Sequence, residues 1–266
     1  MDTGRMDRQA VLAAFDEQVR RRPLAGVGIG HDDTATWSQQ ADGGGWNGIM
    51  WSHLDSGNAD AVIAAQVTRF AQSAQPWEWK YYSYDQPADL PDRLQRTGFT
   101  REPDETLLIA AVAHLDLATS PPDGVRLLDV VDAAGIEAVV RVHDEVFGGD
   151  NSHIGKALTD GLSQQPTTVA AVLALAGRTP IAAGRVELPA GTEFAGLWGG
   201  GTVVPWRRRG VFRALVAHRA ALAAQRGFRY LQVDASADSR PILISLGFVE
   251  LATTTPFIYP PVPHLT

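Results

Sequence analysis

The chain has 266 residues, 45% of them hydrophobic and 20% charged, with a formal net charge of −7 at pH 7; this suits one large globular domain or two ordinary ones. It contains no cysteine, which excludes disulfides, thiolate zinc sites and a cysteine nucleophile. The acidic balance argues against a general nucleic-acid binder, which carries a basic face.

The N-terminal "MDTGRMDRQA" is polar and lacks the apolar stretch of a secretion signal. Helical spacing then runs through "MDRQAVLAAFDEQVRR", residues 6–21. Five of the seven tryptophans, Trp37, Trp46, Trp51, Trp77 and Trp79, fall in the first half. They read as core and sheet packing. The alternative is an aromatic wall for a ligand, with Asp150 in the loop "GGDNS" attracting a cation from the other side. The first half closes with "WEWKYYSYDQPADLPDRLQRTGF", and "LATSPPDG" (117–124), with two prolines, a serine and a glycine, reads as a linker.

Beyond the linker come a strand ("VRLLDVV") and a helix ("DAAGIEAVVRVHDEVF"). Three strands follow, "TTVAAVLALAG", "IAAGRVEL" and "FAGLWGGGTVV", then a helix ("GVFRALVAHRAALAAQRG"). Val211, Leu215 and Leu222 form one stripe of that helix, widened by Phe212 and Val216, and Gly227 is its C-terminal stop. A strand at Phe228–Asp234, a short helix ending at Gly247 and a last strand, "FVELATTTPFIY", complete the half. This rhythm implies an α/β layer structure. The longest apolar run, 167–177, is far short of the roughly 20 residues of a membrane span, and a soluble cytoplasmic protein, monomeric or homodimeric, is expected. His143, His153 and His218 show no metal-ligand spacing and are expected to be surface or partly buried histidines.

The two halves end alike. With Gly98-Phe99 set against Gly247-Phe248, Tyr81 meets Tyr230, Asp85 meets Asp234, Asp89 meets Asp238 and Leu94 meets Leu243 without gaps. The spacing predicts two copies of one domain, with residues 1–117 and 125–266 joined by 118–124.

Three adjacent arginines, Arg207, Arg208 and Arg209, precede Gly210 where a strand passes into a helix. Cations there oppose the helix dipole, unless the unpaired amides and the arginines together hold an anion such as phosphate. Gly210 lets the backbone approach that ligand closely. The run Arg207-Arg208-Arg209-Gly210-Val211-Phe212 resembles the pyrophosphate loop, Arg/Gln-x-x-Gly-x-Gly/Ala, of the GNAT N-acetyltransferases. The strand–helix–"LGF" ending is similar too, and the likeness covers about residues 125 to 259.

The resemblance implies two GNAT-like α/β domains, each a mixed, mostly antiparallel sheet flanked by helices. It implies acetyl-CoA as co-substrate, no metal, and a small-molecule amine as acceptor. The cofactor contacts it implies are Thr202, Val203, Val204, Arg207, Arg208, Arg209, Gly210, Val211, Phe212, Arg213, Ser236 and Ser239. Amides of the strand 194–204 would polarise the thioester carbonyl, and its four glycines read as a bulge or a close ligand approach. Glu193 and Glu187 flank the preceding hairpin as candidate bases for the incoming amine.

Two departures stand out. Phe212 replaces the loop's last small residue, and Leu243 stands where the family commonly places a proton-donating tyrosine, leaving Ser239, Ser245 or solvent for that task. In the first half the corresponding stretch, Asn58-Ala59-Asp60-Ala61, has no arginine, so that copy resembles a degenerate one without a CoA loop. A non-catalytic CoA-binding regulator is the alternative function.

Overall fold

The computed structural model describes residues 6–21, 29–32, 35–40, 46–73 and 75–261. Helix α1 (Arg8–Phe15) continues into a wider π turn, Asp16–Arg20. Strands β1 (Ile29–Asp32), β2 (Thr36–Gln40) and β3 (Gly48–Ser52) follow, then α2 (Ala59–Arg69), β4 (Trp77–Tyr82) and α3 (Leu90–Arg96). Strands β5 (Thr100–Arg101) and β6 (Glu105–Ala111) end the first half. No helix or strand occupies residues 115–124. The second half holds β7 (Val125–Asp129), α4 (Ala133–Phe147), α5 (Ser152–Ser163), β8 (Val169–Ala176), β9 (Thr179–Glu187), β10 (Phe194–Thr202), α6 (Val211–Gln225), β11 (Tyr230–Ala235), α7 (Arg240–Ser245) and β12 (Val249–Tyr259).

The local causes are legible in the chain. Strand β8, "VAAVLALA", is apolar at nearly every position because both of its faces are covered. Val169, Ala171, Leu173 and Leu175 meet α4 and α5, whereas Val172 and Ala174 meet α6. Asp132 caps α4 by accepting from the Gly135 amide at 2.8 Å, and Gly148 ends the helix at φ 75°. Helix α5, which carries two glycines, is not among the elements that the sequence pattern marks. It buries Ile154, Leu158 and Gly161, one residue per turn.

The expected mixed, mostly antiparallel sheet is present as one continuous structure. Among the described residues, twelve strands run β1-β2-β3-β4-β12-β6-β11-β10-β9-β8-β7, with β5 also against β12. Of these pairings, β3·β4 and β10·β11 are parallel. The halves exchange their last strands. β6 of the first half lies along β11 of the second from Thr106↔Ala235 to Ala111↔Tyr230. In return β12 lies along β4 from Thr254↔Tyr82 to Tyr259↔Trp77. The core below α6 therefore contains Leu108, Ala110 and Val112 from the first half.

Buried ion pairs bind the elements further. The Arg20 guanidinium donates to both Asp85 oxygens (2.9 and 3.0 Å) and lies 3.9 Å over the Tyr82 ring. Lys80 on β4 reaches Asp234 on β11 at 2.7 Å, across the exchanged strands. Burial works against the Lys80 charge, but Asp234, Glu78, Tyr82 and Glu105 together outweigh it and hold the ammonium well above its usual range. Asp85 and Asp234, matched in the ungapped alignment, thus occupy different places: the first in the turn after β4, the second inside β11. What they share is a buried cation.

Because Asp234 is almost wholly enclosed, Lys80→Met leaves an uncompensated buried carboxylate and should cost about 3–5 kcal/mol in urea unfolding. Adding Asp234→Leu should recover much of that loss; additive losses in the double variant would show that the pair is not coupled.

Candidate functional site

Strand β10 starts as an ordinary parallel neighbour of β11 and then leaves it. Their pairing runs from Phe194↔Tyr230 to Gly196↔Gln232 and stops, although β10 continues to Thr202 and β11 to Ala235. On its other edge β10 pairs with β9 at Trp198↔Arg185 and again at Gly201↔Ala183, with a bulge between. The site is therefore framed by a bulged strand that has parted from its neighbour.

The glycines of β10 are explained by this bulge and by close packing. Gly199 has φ +56°, and a Cβ there would lie 2.7 Å from the His143 ring of α4. At Gly200 it would meet Phe212 and Arg219 of α6 at 3.0 and 3.1 Å, and at Gly201 it would meet Val146 of α4 at 2.7 Å. Two helices thus close on one strand from opposite faces. His143 is not a surface residue but fully buried, its Nε2 donating to the Gly199 carbonyl at 2.8 Å. Its Nδ1 has no partner among the described residues. Burial, with Arg185 nearby, lowers the ring to about 4, so it is neutral at pH 7.

After β10 comes one tight turn, Val204–Trp206. The Arg207 Nε then donates to the Thr202 carbonyl at 3.0 Å, stapling the loop to the strand. Arg208 has φ 61° and Gly210 φ +86°, and Gly210 caps α6 with no side chain. The main-chain N–H groups of residues 208 to 213 have no acceptor among the described residues; the first bond of the helix is Ala214 N to Gly210 O at 3.1 Å. Nothing stands within 4 Å of a Cβ placed on Gly210. Arg208 and Arg209 are exposed, and Arg209 lies 5.0 Å over the Trp206 ring. Amides without an acceptor, a helix N-terminus and arginines form a donor set suited to a diphosphate. The structure thus fits the loop to such a group.

The other expected contacts divide. Val211 faces the core and offers only its amide, while the Phe212 ring turns inward beside Gly200, leaving the loop unobstructed. The Val203 amide is already donated to Ile181 O at 2.9 Å. Val204 is exposed, and the Thr202 hydroxyl is buried without a partner among the described residues. Arg213 donates to Ser245 Oγ at 2.7 Å. Ser236 and Ser239 lie with their hydroxyls 3.2 Å apart at the head of α7. Leu243 is buried in the core under that helix.

Glu193 precedes the paired end of β10, where Gln18 and Arg229 donate to it at 3.1 and 3.3 Å. Those bonds hold its carboxyl below the usual range. Glu187 lies opposite Gly196, where the strands part, with Arg185 Nε at 3.5 Å. Asp150 accepts from the Ser152 amide, and Trp77 and Trp79 are buried with Phe70 and Phe99 in the first half's core. Trp77 and Trp79 are therefore core residues, and the Trp37 side chain lies outside the described ones. His218 pairs with Asp129 at 2.7 Å, and no metal-binding group of His, Asp or Glu occurs among the described residues.

The first half treats its matching turn differently. Before α2, the Asp55 carboxylate accepts from the Gly57 and Asn58 amides at 2.8 and 2.9 Å. Here the chain's own anion occupies the turn.

No family model matches the sequence, and no curated protein does either. Solved structures do. A GCN5-related N-acetyltransferase from Kribbella flavida superposes with a TM-score of 0.71 at 18% identity, covering 98% of each chain. One from Sphaerobacter thermophilus gives 0.60 at 14% identity, over 86% of this chain and 78% of the other. A tandem GNAT protein from the clavulanic acid biosynthesis pathway gives 0.58 at 11% identity, over 86% and 79%. The chain has the GNAT fold, across both halves.

The neutral His143 ring makes stability depend on pH. Unfolded, it titrates near 6.5, so between pH 6.5 and about 4 the unfolded state takes up a proton that the native state refuses. Stability present above 6.5 is lost as pH falls through that window, by at most about 3 kcal/mol. His143→Gln keeps a donor for Gly199 and removes the titration. Its urea midpoint should fall less steeply than wild type's over this range, and parallel curves would refute the assignment.

Proposed function

We propose that the chain is an N-acetyltransferase that moves an acetyl group from acetyl-CoA to a primary amine of a small molecule, directly, within a ternary complex. The observation that carries this reading is the open array of amides at residues 208–213, directly beyond a bulged strand that has parted from its parallel neighbour. The absence of cysteine removes a thioester route through the protein. On this reading residues 125–266 form the catalytic unit, 118–124 the linker, and 1–117 a degenerate copy whose turn is filled by Asp55.

The chain's residues divide the work as follows. Amides 208–213 and the exposed Arg208 and Arg209 hold the diphosphate, while Arg207 fixes the loop against Thr202. Acetyl-CoA supplies the activated acetyl group. Amides of the bulge polarise its carbonyl. Glu187, beside the opening, takes the proton of the incoming amine, directly or through water. Glu193 is a weaker candidate because two donors already stabilise its charge. Ser239 is the hydroxyl assigned to relay a proton from solvent to the leaving sulfur, taking one up as it passes one on, with Ser236 beside it; Ser245 is engaged by Arg213 and by the Ile242 carbonyl.

A second reading, a CoA-binding regulator without turnover, is favoured by Leu243, a buried aliphatic side chain where the family commonly has a proton donor. Thiol release from acetyl-CoA with a panel of small amines separates the two. Release on at least one amine supports the enzyme, and tight CoA binding with none supports the regulator.

Arg207→Ala with Gly210→Val should weaken CoA binding at least tenfold by calorimetry, about 1.4 kcal/mol. The first change frees the loop from Thr202, and the second forces a β-branched residue to φ +86°. Unchanged affinity would remove the loop from the site.

A further inference from the structure

Where β10 leaves β11, one buried side-chain amide is left without a partner. Gln232 stands opposite Gly196 in the last register pair of the two strands and is only 6% exposed. Its side chain makes no hydrogen bond among the described residues. Unlike the enclosed Trp198 Nε1 and Asp234 Oδ1, its amide atoms keep some contact with solvent. Desolvating an amide this far without bonding it is costly. Room for it is made by glycine, since a Cβ on Gly196 would stand 2.7 Å from Gln232 Nε2 and 2.6 Å from Trp198 Nε1.

Strand alternation sets Gln232 on the same face as the candidate base. Leu231 and Val233 pack under α6, so Gln232 and Asp234 point to the opposite face. Val186 also packs under α6, so Glu187 shares the Gln232 face. The α6 face is covered at the bulge by Phe212 and Arg219. Arg219 is a charge 1% exposed, with no carboxylate within ion-pair distance among the described residues, and its Nη1 donates to the Arg185 carbonyl at 3.1 Å. Glu187 and Gln232 both lie opposite Gly196, one on each edge of β10. Their Cα atoms are thus two strand spacings apart, about 10 Å, so one small molecule can present its amine to Glu187 and a second polar group to Gln232.

The charges nearby decide what that second group is. Lys80 is committed to Asp234 and Glu105 at 2.7 and 3.7 Å, and Arg185 to Glu187 at 3.5 Å. No cation is left over for an anionic substituent, and the carboxylates Glu187 and Asp234 disfavour one. An amide both donates and accepts, and the uncharged group that answers both roles through one atom is a hydroxyl.

We propose that Gln232 is a specificity residue that hydrogen-bonds a hydroxyl carried near the reacting nitrogen, so that the acceptor is an amino alcohol rather than a plain alkylamine. This rests on the acetyl-transfer reading and deepens it.

The test follows thiol release from acetyl-CoA by the full chain with matched amines: ethanolamine against propylamine, propanolamine against butylamine, and aminocyclohexanol against cyclohexylamine. Expressing kcat/KM for the neutral amine cancels differences in basicity. Wild type should favour the hydroxylated member of at least one pair by about tenfold or more, because the analogue leaves the buried amide unpaired. In Gln232→Met, which keeps the length and loses both hydrogen-bonding roles, that preference should fall to within about threefold. A purely structural Gln232 would change both members of a pair alike. Gln232→Val, which suits a strand, carries the test if the methionine variant does not fold. Turnover without preference in wild type, or a preference unchanged in the folded variant, overturns the Gln232 assignment and leaves the acetyl-transfer reading standing. A wild type that binds acetyl-CoA and releases thiol with none of the pairs overturns that reading instead.

Discussion

Strand β11 is held along its whole length on one edge and only at its start on the other. The six register pairs from Tyr230↔Ala111 to Ala235↔Thr106 bind it to β6, whereas β10 leaves it after Gly196↔Gln232. A strand released by both neighbours would lose the backbone bonds that buried main chain requires. The opening beside β10 therefore depends on a strand supplied by the other half of the molecule. The return exchange, β12 along β4, places the same demand on the first half, so neither half closes its sheet alone.

How much of this the sequence discloses follows from how local each cause is. The strands and helices of the second half are marked by apolar runs between turn residues, and their order is legible. The exchange is not, because β6 and β12 show the same alternation whichever strand lies beside them. Helix α5 was obscured by Gly155 and Gly161, which weaken helical propensity but permit close packing against α4 and β8. The bulge was foreshadowed by the glycines of β10; its grip was not, since His143 reads as one polar residue among several on α4. Arg219 did leave a signal. It follows Val211 and Leu215 at intervals of four, so a charge occupies the apolar stripe of α6.

The two halves also show how one framework serves two ends through turn chemistry. Before α2, Asp55 supplies the carboxylate that the free amides need, and the turn is complete. Before α6 no side chain caps the helix, and arginines stand where the dipole disfavours them. Left alone, that arrangement is worse for stability than its counterpart. On the proposed reading, an anion from outside supplies what Asp55 supplies in the first half.

The same logic applies to buried charge. Arg20 with Asp85 and Lys80 with Asp234 are paired cations whose work ends within the fold. Arg219 has no such partner, and its irregularity has neighbours: the positive φ of Gly199, the ladder break beside it, and Arg208, the non-glycine residue with φ in the left-handed region among the described residues. Of these, the strained one is Arg208, at about 1–3 kcal/mol; glycine adopts positive φ freely, and three other ladders of the sheet carry register shifts as well. On the proposed reading, the strain at Arg208 and the uncompensated charge of Arg219 are the stability that β10, the loop and α6 give up for an anionic ligand.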